Sequence, residues 1–137
     1  MIADYVMFVN VEFRFYIYTV CMEIKTISLS NRNILEIISS DVLIRNTQDA
    51  LDILGAVNSE YIVMHTHNFE DDFFDLSTKK LGEVLQKFAN YHLKLAIVGD
   101  FEKYPSKTLK EFMYESNNHR DYLFVNSVDE VIRFWNE

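Results

Sequence analysis

Residues Phe69 to Phe101 read FEDDFFDLSTKKLGEVLQKFANYHLKLAIVGDF, and this stretch decides the fold. An acidic, aromatic loop comes first. It runs into a segment with Leu81, Val84, Leu85, Phe88 and Ala89 at helical spacing, which gives one apolar stripe on a helix. Leu93 to Val98 then forms a largely apolar run ended by Gly99, the pattern of a strand covered on both faces. Loop, amphipathic helix and buried strand in this order make one unit of an α/β sheet.

The same periodicities continue in both directions. Ile24, Thr26, Ile27 and Leu29 predict a first strand, Asn31-Arg32-Asn33 a turn, and Ile34 to Ile38 a second strand. Asn46 or Thr47 can cap a helix with Ala50, Leu51, Ile53, Leu54 and Val57 inward. Tyr61 to Met64 is a short buried strand. Beyond Gly99, Ser106 can cap a helix carrying Leu109, Phe112 and Met113, and Tyr122 to Val125 is the last strand. Ser127 to Glu130 is a capping box that opens a helix with Val131, Ile132, Phe134 and Trp135. The expected order is β-β-α-β-α-β-α-β-α, an α/β fold with a mostly parallel sheet and helices packed against it.

Composition narrows the functional classes. A chain of 137 residues, 49% hydrophobic, suits one domain with one core. Three glycines and one proline leave no flexible interdomain linker. Cys21 is the only cysteine, which excludes an internal disulfide and fits a cytoplasmic protein. A net charge of −8 repels a phosphate backbone, and Lys79, Lys80 and Lys87 are interleaved with acids, so nucleic acid is not an expected partner. No Gly-rich phosphate loop or nucleophile elbow is present, and no cofactor is implied.

Residues 1–21 stand apart. Glu12 and Arg14 sit mid-span in an otherwise apolar stretch, which argues against a membrane segment, and a basic start for a secretory signal is lacking. Val9, Val11, Phe13, Phe15 and Ile17 alternate with polar residues and Tyr16 and Tyr18, as in a strand. The favoured expectation is an N-terminal extension upstream of a misassigned start, with the domain covering residues 22–137.

The segments FFDLST, GEVLQKFANY and LAIVGDF resemble the core motif of an uncharacterised bacterial family called domain of unknown function 4180. MEIKTISL, from Met22, and Glu115-Ser116-Asn117 resemble further parts of it. That family in turn is similar to STAS domains (sulfate transporter and anti-sigma factor antagonist). The resemblance implies a STAS-like regulatory or protein-interaction module rather than an enzyme. In the anti-sigma antagonist branch, a partner kinase phosphorylates a serine or threonine that follows an aspartate at a helix start. On Asp75-Leu76-Ser77-Thr78 this points to Thr78 and Ser77 as phosphate acceptors. Where the closer family typically has glycine after this Thr78, the present chain has Lys79.

The residues suggest further sites. Ligands in open α/β sheets gather beyond the carboxyl ends of strands, here His65 to Asn68, Gly99 to Phe101, and Asn126-Ser127. His65 and His67 present two imidazoles on one side of an extended segment, and Asp100 could add an oxygen, so the alternative function is a metal-dependent enzyme or small-ligand binder. Asp100, Glu115 and Asn117 are ligand candidates on that edge, although Asn117 or Asn118 also reads as a left-handed helix stop. Phe69, Phe73 and Phe74 beside Asp75 either form an exposed patch for a protein partner or plug the sheet from above.

Overall fold

The sheet never skips a strand. The computed structural model describes residues 10–17, 20–57 and 59–136. Its six strands lie side by side in chain order. They are β1 (Asn10–Ile17), β2 (Val20–Ser28), β3 (Asn33–Ile38), β4 (Tyr61–His65), β5 (Lys94–Val98) and β6 (Tyr122–Val125). β1, β2 and β3 form an antiparallel meander, whereas β3, β4, β5 and β6 run parallel. From β2 onward, strands and helices alternate in the expected order.

Three helices make the crossovers, namely α1 (Thr47–Ala56), α2 (Lys80–Asn90) and α3 (Lys107–His119). Each crossover steps the same way along the sheet, so right-handedness puts all three on one face. There Ala50, Ile53, Val84, Phe88 and Leu109 pack on Ile37, Ile62, Met64, Leu95 and Ile97. α4 (Val128–Trp135) follows the last strand and covers the opposite face. Its Val131, Ile132 and Trp135 pack with Ile34, Val63, Ala96 and Leu123. Central strands are therefore apolar at successive positions because each residue has a core on its own side.

Helix starts follow the sequence signals. Asn46 accepts from the Asp49 N–H at 2.9 Å and Ser106 from Leu109 at 3.1 Å. Ser127 accepts from Glu130, while the Glu130 carboxylate accepts from Asn126 N–H at 3.2 Å, one residue earlier than a capping box requires. α2 differs. Two 3-10 turns, Asp71–Phe74 and Leu76–Thr78, precede it, and Lys79 turns left-handed at φ 64° before the helix opens at Lys80. Helix stops also differ: α3 ends on left-handed Arg120 (φ 66°), not on Asn117 or Asn118.

The expected strand in the first 21 residues is present as β1, which pairs with β2 across a register shift between Val11 and Phe13. Glu12 is the extra residue of this bulge. The expected boundary after residue 21 falls inside β2. Val9 and Tyr18, assigned to the same strand by pattern, lie outside the described residues. No helix among the described residues is long and apolar enough to cross a membrane.

Candidate functional site

Because β4, β5 and β6 are parallel, the loops after them share one edge of the sheet. His65 and His67 stack there with ring centroids 5.6 Å apart. His65 Nε2 lies 2.8 Å from the Glu36 carboxylate, and His67 Nε2 lies 2.7 Å from the Ser39 carbonyl. Asp100 accepts from the Glu102 N–H at 3.1 Å and caps a short turn. Among the described residues, no three His, Cys, Asp or Glu side chains are grouped to hold a metal ion. The expected ligand set of His65, His67 and Asp100 is therefore not assembled. Sequence reasoning missed Glu36, only 9% exposed. Its signal was a carboxylate in the middle of an apolar strand, which demands a partner.

Asn68 organises this edge. Its side chain is fully buried, donates to the Ser39 and Asp41 carbonyls and accepts from the His65 N–H at 3.0 Å. Its own carbonyl accepts from Leu43 and Ile44. One amide thus ties the loop after β3 to the loop after β4. Gly99 must stay small for the same packing, since a Cβ there would collide with the Thr66 side chain.

The aromatic loop is core: of the two expectations, the plug over the sheet agrees with its burial, and the exposed partner patch at Phe69, Phe73 and Phe74 is corrected. Phe69, Phe73 and Phe74 are 2%, 0% and 2% exposed. Phe69 meets both other rings edge-on, and Phe74 meets Phe101 at 5.8 Å. Residues Asp71–Phe74 form a 3-10 turn that buries its two phenylalanines while Asp71 and Asp72 stay outside. Lys80 anchors the turn from α2, 2.7 Å from Asp72 and 3.5 Å from Glu70, and the Asp72 contact raises the Lys80 pKa.

The two candidate phosphate acceptors sit on the next 3-10 turn, ahead of α2 rather than in its first turn. Thr78 is tied down: its hydroxyl lies 2.9 Å from the Asp72 and Asp75 carbonyls, and it accepts from the Lys80 N–H. Ser77 is exposed and donates to the Asp75 carboxylate at 2.7 Å. Asp75 also accepts from the Ser77 N–H, and these bonds hold its carboxyl below the ordinary 3.8. Of the two hydroxyls, that of Ser77 is the accessible one.

Sequence reasoning also missed a depression between α2 and α3. α2 and α3 splay apart over a groove of about 480 Å³. Leu85, Ala89, Phe112 and Tyr122 give it an apolar lining, with Glu115, His119 and Asp121 at its sides. Burial, with Asp121 nearby, raises the Tyr122 pKa. Gly82 leaves the wall of α2 open, since a Cβ there would meet nothing within 4 Å. A smaller hollow lined by Leu76, Lys79 and Glu83 shares Gly82, Gln86 and Phe112 with the groove, so the Ser77 turn borders it. Glu115 thus faces the groove, whereas Asn117 is spent on β6, where it bonds the Phe124 backbone.

The chain matches no curated protein and no solved structure. A family model does match, over residues 29–134, from the end of β2 to the last turn of α4. The chain belongs to the family described as Domain of unknown function (DUF4180).

Proposed function

We propose that this domain is a STAS-like regulatory module that binds a protein partner in the α2–α3 groove, with Ser77, on the turn that borders the adjoining hollow, as the switch. The observation that carries this reading is the adjacency of three features: an open apolar groove, a glycine in the first turn of α2 in its wall, and an exposed serine on the turn bordering the adjoining hollow. Glu83, Glu115 and Asp121 around the groove, together with a net charge of −8, favour a partner segment that is apolar with basic flanks. A phosphate on Ser77 would remove the hydroxyl that donates to Asp75 and set nearly two further negative charges beside that carboxylate. The turn beside the groove would then rearrange, and docking would change with it. The element order from β2 to α4 and the family membership support the STAS-like reading.

The test uses the full chain as bait in lysate of its own host, in four forms: native, Ser77→Ala, Ser77→Asp and Gly82→Leu. Gly82→Leu places an apolar side chain on the groove wall, where its Cβ would meet nothing within 4 Å, and favours the helix. The native and Ser77→Ala baits should retain one common protein that Ser77→Asp and Gly82→Leu lose. Capture indifferent to Gly82→Leu, or no capture, overturns the groove; capture indifferent to Ser77→Asp overturns the switch.

A further inference from the structure

The helix layer over the sheet has a gap. α1 and α2 pack side by side, whereas α2 and α3 part over the groove. Each wall of the groove is one face of one helix. α2 contributes Gly82, Leu85, Gln86 and Ala89, and α3 contributes Phe112, Glu115, Ser116 and His119. Both sets fall at i, i+3, i+4 and i+7, the spacing with which a helix presents a face to another helix. Gly82 and Ala89, two turns apart and both exposed, keep the α2 wall low at two points where a neighbour's large side chains can settle.

Taking the groove as the partner site, we infer that the partner segment docks there as an amphipathic helix antiparallel to α2 and α3, with apolar side chains seven residues apart over Gly82 and Ala89 and a basic one toward Glu115. The two low points lie about 10 Å apart along α2, a distance that a second helix also covers in seven residues. An extended chain covers it in about three, and side chains three apart on a strand point to opposite sides. Direction follows from the crossovers. α2 and α3 both connect parallel strands, so they run the same way and their carboxyl ends lie together near Ala89 and His119. The partial negative charge of those ends favours the amino end of a third helix. Asp121 lies 3.7 Å from Lys94 and is answered within the chain, so exposed Glu115 is the acid left to meet a basic side chain of the partner.

The probe is a synthetic alanine-based peptide of about 16 residues with leucines at i, i+4 and i+7 and lysines along one side of that stripe. Fluorescence anisotropy measures its binding to the full chain, beside one peptide with a central proline and one with glutamates for the lysines. The lysine peptide should bind the native chain, and the proline peptide should not. Gly82→Leu should weaken the lysine peptide about tenfold or more, and Glu115→Lys about fivefold. The glutamate peptide should instead prefer Glu115→Lys to the native chain. A nitroxide on the amino end of the lysine peptide should broaden the amide NMR signals of Ala89 and His119 and spare Lys79. Equal binding of the proline peptide, or of both charge forms, overturns the docked helix, and broadening at Lys79 instead overturns its direction. Should Gly82→Leu fold poorly, the exposed exchange Glu115→Lys decides alone. If no peptide binds while the lysate bait still loses its protein on Gly82→Leu, the helix fails and the groove stands; if both fail, the groove reading falls with it.

Discussion

Asn117 and Phe124 exchange two hydrogen bonds: the amide donates to the Phe124 carbonyl at 3.0 Å and accepts from its N–H at 2.7 Å. One side chain, seven residues away in sequence, thus imitates a neighbouring strand. Only an amide carries both a donor and an acceptor in this arrangement. Asn117→Ala should cost about 2–3 kcal/mol, because it leaves two backbone groups unpaired. Asn117→Asp should cost nearly as much, since a carboxylate cannot donate to the Phe124 carbonyl. Urea unfolding of the two variants checks this, and an Asp variant as stable as the native chain would contradict the role.

Lys79 and Gly82 invite exchanges of opposite kind with the same sign. Lys79 pays for a left-handed backbone that glycine adopts freely, so Lys79→Gly should stabilise by about 0.5 kcal/mol. Gly82→Ala should stabilise by about 0.5–1 kcal/mol, because it adds helix propensity in open space. Thermal melts decide both, and a lower melting temperature for either refutes the local geometry.

Phe73 and Phe74 close the end of the core, so their loss acts on folding and not on a surface. Each truncation to alanine should cost about 3–5 kcal/mol, and the double variant should exhaust the stability of a domain this size. Loss of the cooperative melt by circular dichroism is the expected result. A double variant that still melts cooperatively near the native temperature would place the rings outside.

Asp75 makes the Ser77 turn sensitive to acid. Its folded pKa lies below the ordinary 3.8, chiefly through the hydrogen bond from the Ser77 hydroxyl. A carboxyl lowered by folding contributes stability above its unfolded pKa and loses it as pH falls through the folded value. The turn should therefore keep its Asp75 bonds above about pH 4 and lose them on further acidification. In Ser77→Ala the Asp75 midpoint, read by NMR, should rise toward 3.8, and an unmoved midpoint would contradict the assignment.

The fold was legible because hydrophobic period and caps agree from Met22 onward. Leu81 to Ala89 and Leu93 to Val98 each carry one unambiguous pattern, and right-handed crossovers leave little freedom in arranging them. Lys79 hid the true start of α2, since a lysine in a left-handed conformation gives no turn signal. The site was less legible for two reasons. Phe73 and Phe74 adjoin acids, which reads as surface, yet a 3-10 turn can bury adjacent rings while its aspartates remain in water. The groove depends on the spacing between α2 and α3, and no single-residue pattern encodes that distance. The Glu36–His65 pair joins residues 29 apart, on strands whose adjacency only the sheet order reveals.

A crosslinking residue placed inside the α2–α3 groove tests most directly whether a partner docks there. A photo-crosslinking amino acid at Gln86, on the groove wall, is compared in the native host with one at Arg133, an exposed position on α4. One discrete protein adduct is expected from position 86, absent from position 133 and lost when Ser77→Asp is added. No adduct from position 86, or the same adducts from both positions, would contradict docking there.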